Sequence, residues 1–331
     1  MEILHGLTGL GELPHGSVLS VGNFDGFHRG HQQILATGRA LRDQHPGAAQ
    51  AVVTFEPHPM TVLRPDRVPP RLTPLPIKQS LLAEAGVDFL VILPPEREVL
   101  DLSAQGFWEI LRDEARVRHM VEGSSFFFGK NRGGNVALLR EWAAGSPVTL
   151  HVVETLSVPL LDMQIVPVSS SIIRWLLEQG RVRDAAICLG RGYGLQGQVV
   201  RGNQRGRTIG VPTANLDMID QLIPADGVYA GRCMVDGAVY PAAVSIGAMP
   251  TFGENARQVE AHLIGFDGDL YGRMLTVEFV DWLRDQRKFS GVEELKRQLA
   301  RDIAAATLRR DLDPARPIAR SAVKPPIASA V

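Results

Sequence analysis

Cysteine is nearly missing from the chain: Cys188 and Cys233 are the only two among 331 residues. They form no Cys-x-x-Cys pair, and one bridge would not staple a chain of this length. That excludes a disulfide scaffold and fits a reducing compartment. An excess of one charge is missing too, with 35 basic residues against 36 acidic ones. Without a positive field to hold a phosphate backbone or an anionic bilayer, neither nucleic acid nor membrane is expected as a partner, and the ligands are expected to be small. No uninterrupted apolar run reaches membrane length, and the opening segment as far as Pro14 carries Glu2 and several glycines in place of a cationic leader. The expectation is a soluble, cytoplasmic protein without a targeting segment. Repeats of solenoid length are absent as well.

What is present is enough chain for two cores. The first half alternates β-rich runs at 18–21, 51–55 and 89–93 with helical patterns at 28–45 and 77–85, the grammar of βαβ units on a parallel sheet. Pro46-Gly47 stops the first helix, Gly86 follows the second, and Ser103 is placed to cap a helix over 104–117. A strand near 148–153 and helices over 170–179 and 182–189 follow, the last ending at Gly190-Arg191-Gly192, where we place the domain boundary. Beyond it the pattern becomes glycine-punctuated strands at 195–200, 228–235, 238–246, 258–266 and 274–283, an antiparallel β domain that closure into a small barrel would complete. Asp236-Gly237 predicts a tight hairpin, because a type I′ turn needs positive φ at both central residues. Ser290 with Glu293 predicts a capping box opening an amphipathic helix through Leu308. The stretch 311–331, rich in proline and alanine, is expected to be a mobile tail.

The strand at 18–21 runs straight into Gly22-Asn23-Phe24-Asp25-Gly26-Phe27-His28-Arg29-Gly30-His31 and then into a helix. Gly22 and Gly26 let the backbone turn tightly and approach a ligand, while His28 and His31, three apart, share one face of the first helical turn. Free N–H groups and the positive helix end favour phosphate there, and two imidazoles add donors as negative charge builds. Half of a metal site is the other reading of His-x-x-His. It needs further ligands, of which His58 in Glu56-Pro57-His58-Pro59 is the nearest histidine, after the next strand. Ser169-Ser170-Ser171, with Arg174 about one turn in, is a second anion-binding segment, or on its own a good N-cap.

In the second half, Gly202, Gly206 and Gly210 alternate with basic residues ahead of Pro212-Thr213-Ala214-Asn215, which reads as a rigid turn. The whole is a flap over phosphates without the Walker lysine arrangement. In Gln258-Val259-Glu260-Ala261-His262-Leu263, period-2 alternation sets Val259, Ala261 and Leu263 on one face and Glu260 and His262 on the other, open to a cleft. Taken alone, Glu260 reads as an ordinary solvent-facing glutamate. Glu278, in Thr276-Val277-Glu278-Phe279, is its rival as a base.

These two motif sets, in this order, resemble the bacterial bifunctional riboflavin kinase/FAD synthetases. The first half is similar to the FAD synthetase branch of the nucleotidyltransferase superfamily. The second is similar to riboflavin kinase through Pro-Thr-Ala-Asn, Gly227-Val228-Tyr229, Ser245-Ile246-Gly247, Pro250-Thr251-Phe252 and Leu270-Tyr271-Gly272. The resemblance implies a Rossmann-like α/β FMN adenylyltransferase domain over 1–189 and an antiparallel β-barrel kinase domain with a C-terminal helix over 190–310. It implies ATP as co-substrate, Mg²⁺, conversion of riboflavin to FMN and of FMN to FAD, and pyrophosphate released in the second step. Gly22, Asn23, Phe24, Asp25, Gly26, Ser169, Ser170, Ser171, Arg174, Gly202, Gly206 and Gly210 would contact ATP or its phosphates, and His28 and His31 would stabilise charge. Thr213 and Asn215 would hold Mg²⁺ and phosphate oxygens, and Glu260 would take the proton of the terminal ribityl hydroxyl. The chain departs from the family pattern at Ser125, where the family usually has an acidic residue, at Phe127, where it often has a polar one, and at Met249, where a basic one is common. Lys130 and Arg132 are left outside the site. Two other readings stay open: a monofunctional riboflavin kinase with a degenerate adenylyltransferase domain, and a non-catalytic flavin-binding regulatory protein. A homo-oligomer is open as well.

Overall fold

Apolar runs bounded by turn residues build a six-stranded sheet in the first of two compact units, which holds Met1–Pro69 and Thr73–Ser157. Here the structure is a computed structural model, describing residues 1–202, 206, 209–248, 257–313 and 315. The strands are β1 (Glu2–His5), β2 (Val18–Val21), β3 (Gln50–Phe55), β4 (Phe89–Leu93), β5 (His119–Gly123) and β6 (Thr149–Val153). All pair in parallel in the order β1-β4-β3-β2-β5-β6. Helices α1 (Arg29–Arg42), α2 (Leu75–Glu84), α3 (Ala104–Glu109) and α4 (Val136–Ala144) lie between them in the chain.

Both faces of this sheet are covered. Val52, Leu90 and Ile92 join Phe24, Phe27 and Leu82 in one cluster, while Ala51, Val53, Val91 and Leu93 join Leu19, Trp108 and Leu111 in another. Double burial is why β3 and β4 read as unbroken apolar runs in the sequence. From β2 the chain steps to β3 and β4 on one side and returns through β5 and β6 on the other, so the winding reverses between β2 and β5. In open α/β sheets ligands bind beyond the carboxyl ends of the strands at such a point.

Strands β1 and β5 carry no clean periodic signal and were not anticipated. In β5 the polar letters have buried partners of their own, as described below. Ser103 does cap α3, its Oγ accepting from Gly106 N at 3.0 Å. The expected run to Val117 changes character after Glu109: residues 110–114 form a wider π turn, with Ala115 N donating to Ile110 O at 3.0 Å.

The second unit holds Pro70–Leu72 and the chain from Val158. It contains α5 (Ser170–Glu178), α6 (Val182–Leu189) and six strands, β7 (Tyr193–Val200), β8 (Ala214–Asp217), β9 (Gly227–Val235), β10 (Ala238–Ala248), β11 (Arg257–Leu263) and β12 (Met274–Arg284), followed by α7 (Val292–Leu308). The strands form a closed antiparallel barrel in the order β7-β8-β11-β10-β9-β12. Inward residues alternate as expected on β11, and Tyr229 meets Phe279 edge-on at 5.1 Å inside.

The glycine cluster after α6 does end that helix, with Gly190 as a left-handed cap. By packing, however, α5 and α6 belong with the barrel. Ala225 N donates to Leu177 O at 2.9 Å, and Gly180 abuts the ring of Trp282 so closely that a Cβ would lie 2.1 Å from it. The Asp236-Gly237 hairpin forms as predicted, with φ of 50° and 81°. Two readings are corrected. Pro212-Thr213-Ala214-Asn215 is not a turn, because Ala214 and Asn215 open β8, a rung of the barrel paired with both β7 and β11. The capping partner of Ser290 is Glu294 (2.7 Å to Oγ) and not Glu293, because the helix starts one residue later, at Val292, and Glu293 instead pairs with Lys296 at 3.1 Å. Asn203, Gln204, Arg205, Arg207, Thr208, Met249, Pro250, Thr251, Phe252 and nearly all of the expected tail lie outside the described residues.

Candidate active sites

The first centre grows from the end of β2. Gly22 N donates to Val53 O at 2.9 Å, keeping the chain on the sheet for one more residue. It then turns through positive φ at Phe24 (48°), Gly26 (84°) and Phe27 (39°). Two aromatic residues tolerate that strain because their rings are buried, at 2% and 5% exposure, and pin the loop into the core. Phe24 and Asp25, expected at the phosphates, help to shape the loop: the Asp25 carboxylate accepts from Thr73 N at 2.9 Å, and Gly26 N donates to Thr73 Oγ1 at 3.1 Å.

The histidines meet. His28 is the N-cap of α1, its Nδ1 accepting from His31 N at 3.3 Å, and the two rings stack with centroids 3.6 Å apart. Accepting at Nδ1 places the proton of the neutral His28 ring on Nε2. His58 also comes to this loop, its Nε2 lying 3.2 Å from Asn23 Nδ2. No group of three His, Cys, Asp or Glu able to hold a metal occurs among the described residues, which gives the His-x-x-His pair no third ligand there.

One residue of this centre had no signal in the sequence. Glu122, at the end of β5, is 2% exposed and its Oε1 accepts from Val21 N at 2.8 Å, tying together the two strands at which the winding reverses. Burial pushes its carboxyl well above the usual carboxylate range, opposed by the bond from Val21. Of the three consecutive phenylalanines 126–128 nearby, Phe128 is core and stacks on Phe126 at 5.5 Å, whereas Phe127 is exposed with the Arg132 guanidinium 4.3 Å over its ring. Lys130 pairs with Asp101 at 3.1 Å.

In the second unit, Ser169 is the N-cap of α5, its Oγ accepting from Ile172 N at 3.3 Å, with Ser170 and Ser171 in the first turn. Arg174 Nε donates to Pro70 O at 2.7 Å.

The centre on the barrel is defined by strand register. Asn215 on β8 stands directly opposite Glu260 on β11, and Ser245 on β10 is opposite Glu260 on the other side. Gln258 Nε2 donates to Asn215 Oδ1 at 2.5 Å and to Glu260 Oε1 at 2.7 Å. Gly202 crosses close above: a Cβ there would lie 2.5 Å from Asn215 Nδ2, so a side chain at this position would displace the Asn215 carboxamide. Gly206 lies against the backbone of Val211, where a Cβ would be 2.3 Å from its carbonyl oxygen, with Thr213 Oγ1 next to it at 3.5 Å, while Gly210 takes φ of 82° in open space. His262, next outward on β11, shares its Nδ1 with Pro212 O at 2.7 Å. Burial raises the Glu260 carboxyl above its usual range, and the bond from Gln258 opposes that. Glu278 lies on β12 between Gly194 and Arg232, and its Oε1 is 2.7 Å from Arg232 Nη2. An acid already paired with an arginine, on a strand that does not touch β8, does not stand beside Asn215.

A profile of the riboflavin kinase family matches residues 189–309, and one of the FAD synthetase family matches residues 11–171. The bifunctional riboflavin kinase/FMN adenylyltransferase of Escherichia coli K12 is 35% identical over 305 residues, which span 91% of this chain and 96% of that one. The chain belongs to the bifunctional riboflavin kinase/FMN adenylyltransferase family. The Bacillus subtilis member is 34% identical over 291 residues, 86% of this chain and 90% of its own. A solved structure from Streptococcus pneumoniae, described as a macrolide-efflux protein, matches with a TM-score of 0.82 at 27% identity, over 95% of this chain and 100% of that one. Among the described residues of the present family member, no helix is long and apolar enough to cross a membrane.

Proposed function

We propose that the chain phosphorylates riboflavin to FMN with ATP and then adenylylates FMN to FAD. The observation that carries the reading is the pairing of Asn215 with Glu260 across β8 and β11, joined by Gln258 under a glycine-rich crossing. Glu260 takes the proton of the terminal ribityl hydroxyl as its oxygen attacks the γ-phosphorus of ATP in line, and ADP leaves. Thr213 and Asn215 offer a hydroxyl and a carbonyl oxygen, hard donors of the kind Mg²⁺ takes when phosphates and waters complete its shell, so these residues fit that ion. Bound there, it would neutralise the charge of the phosphates.

The adenylyltransferase activity is assigned to residues 1–189 and the kinase to 190–310. A phosphate oxygen of FMN attacks the α-phosphorus of ATP and pyrophosphate leaves. His28 and His31 stabilise the charge that develops. The setting is the cytoplasm, with small molecules as the only partners required.

Ser125 and the exposed Phe127 favour one second reading, a riboflavin kinase whose first half no longer adenylylates. Purified protein incubated with riboflavin, ATP and Mg²⁺, with flavins separated over time, distinguishes them. FMN followed by FAD is expected. FMN alone selects the second reading, and unchanged riboflavin refutes both.

A further inference from the structure

We propose that Gln258 is a positioning residue of the kinase, holding the Asn215 carboxamide and the Glu260 carboxylate in one fixed relation through the two hydrogens of its side-chain amide. The inference rests on the reading of Glu260 as the base. An ionised carboxylate only accepts, so the Gln258 atom 2.7 Å from Glu260 Oε1 is the amide nitrogen. The same nitrogen is 2.5 Å from Asn215, and its second hydrogen needs an acceptor, which orients Asn215 with Oδ1 toward Gln258. Asn215 Nδ2 then faces Gly202, where a side chain would push against the Asn215 carboxamide. One amide thereby settles the orientation of another and the rotamer of an acid.

Little else in the described structure can do this. Among the described residues no lysine or arginine forms an ion pair with Glu260. Ser245, its neighbour on β10, is bonded to Gln286 Nε2 at 2.8 Å and makes no hydrogen bond to Glu260 in the described structure. Gln258 is on the same strand and the same face as Glu260, two residues before it, so the contact is built into the strand rather than delivered by a loop. Asn215 is 7% exposed, and a buried carboxamide without a fixed partner would sample both flips.

The test uses the full chain with Gln258→Met, equal in length but without a donor, and Gln258→Glu, which sets an acceptor against Glu260. For Gln258→Met, kcat of FMN formation should fall about 10- to 100-fold with KM for riboflavin within about twofold of the parent. Riboflavin affinity without ATP or Mg²⁺, read by quenching of flavin fluorescence, should be unchanged, as should the thermal midpoint and FMN adenylylation. Gln258→Glu should lose more. Full kcat in Gln258→Met overturns the proposal, and so does a loss of kcat that tracks a lowered thermal midpoint. Glu260→Gln run in parallel separates the two levels: if it still makes FMN, the base assignment itself fails, whereas an inactive Glu260→Gln beside an unaffected Gln258→Met removes Gln258 alone.

Discussion

His119, at the start of β5, is 8% exposed, with its Nδ1 3.2 Å from His151 Nε2 and its ring 5.1 Å from that of His45. Burial, then the charges of His151, His45 and Arg118, lower its pKa from 6.5 to about 4. The folded chain keeps this ring neutral at pH values where the unfolded chain protonates it. Its contribution is therefore fully present above about pH 6.5 and lost as pH falls toward 4. Denaturant titrations of His119→Asn from pH 7 to pH 4 should show a decline shallower than the parent's by up to about 3 kcal/mol. Parallel declines would exclude His119 as a source of acid sensitivity. At this scale the sequence is legible where spacing carries information. His28 and His31 sit three apart at a strand-to-helix junction, and Glu260 alternates with apolar neighbours. The roles of Glu122 and Gln258 were not legible, because a single polar letter means nothing until its partner, 101 residues away for Glu122 and 43 for the Gln258–Asn215 pair, is known.

Helix α7 is fastened to β12 by charge as well as by packing. Arg284 donates to both oxygens of Asp302, which is 5% exposed, and Arg309 Nε reaches Asp281 at 2.7 Å, while Ala306 packs on Ala230 and Val280. Removing one partner of a buried pair strands the other's charge, so Asp302→Ala should cost about 3 kcal/mol in urea unfolding. A loss below about 1 kcal/mol would assign the helix to apolar packing alone. Elements with strong punctuation were legible: the Asp236-Gly237 hairpin, the Ser103 cap, and the apolar strands β2, β3 and β4. Strand β8 was not, because Pro212 just ahead of it and Asn215 within it are turn formers, and Asn215 is held extended by pairing with Val200 on one side and Glu260 on the other. The one-residue error at Ser290 has the same origin, since consecutive glutamates give composition no way to choose a register.

For the whole molecule, two units with separate cores imply two activities that can be lost separately. Glu260→Gln should abolish FMN formation and leave conversion of supplied FMN to FAD, while His28→Ala should do the reverse. Equal loss of both activities in either folded variant would contradict the division. The alternation of strands and helices gave the architecture of the first unit, and the change of grammar after Gly190 marked the second. The packing of α5 and α6 with the barrel stayed hidden, because it depends on tertiary contacts such as Gly180 against Trp282 that no local pattern encodes.

The barrel closes by pairing β7, its first strand, with β12, its last. During synthesis on the ribosome, therefore, no portion of the barrel that lacks β12 can finish its ring, and until that strand emerges the nascent chain carries two open strand edges. The parallel sheet has all its strands once Val153 is made. The unpaired edges of the barrel thus stay exposed until the last strand of the second unit is translated.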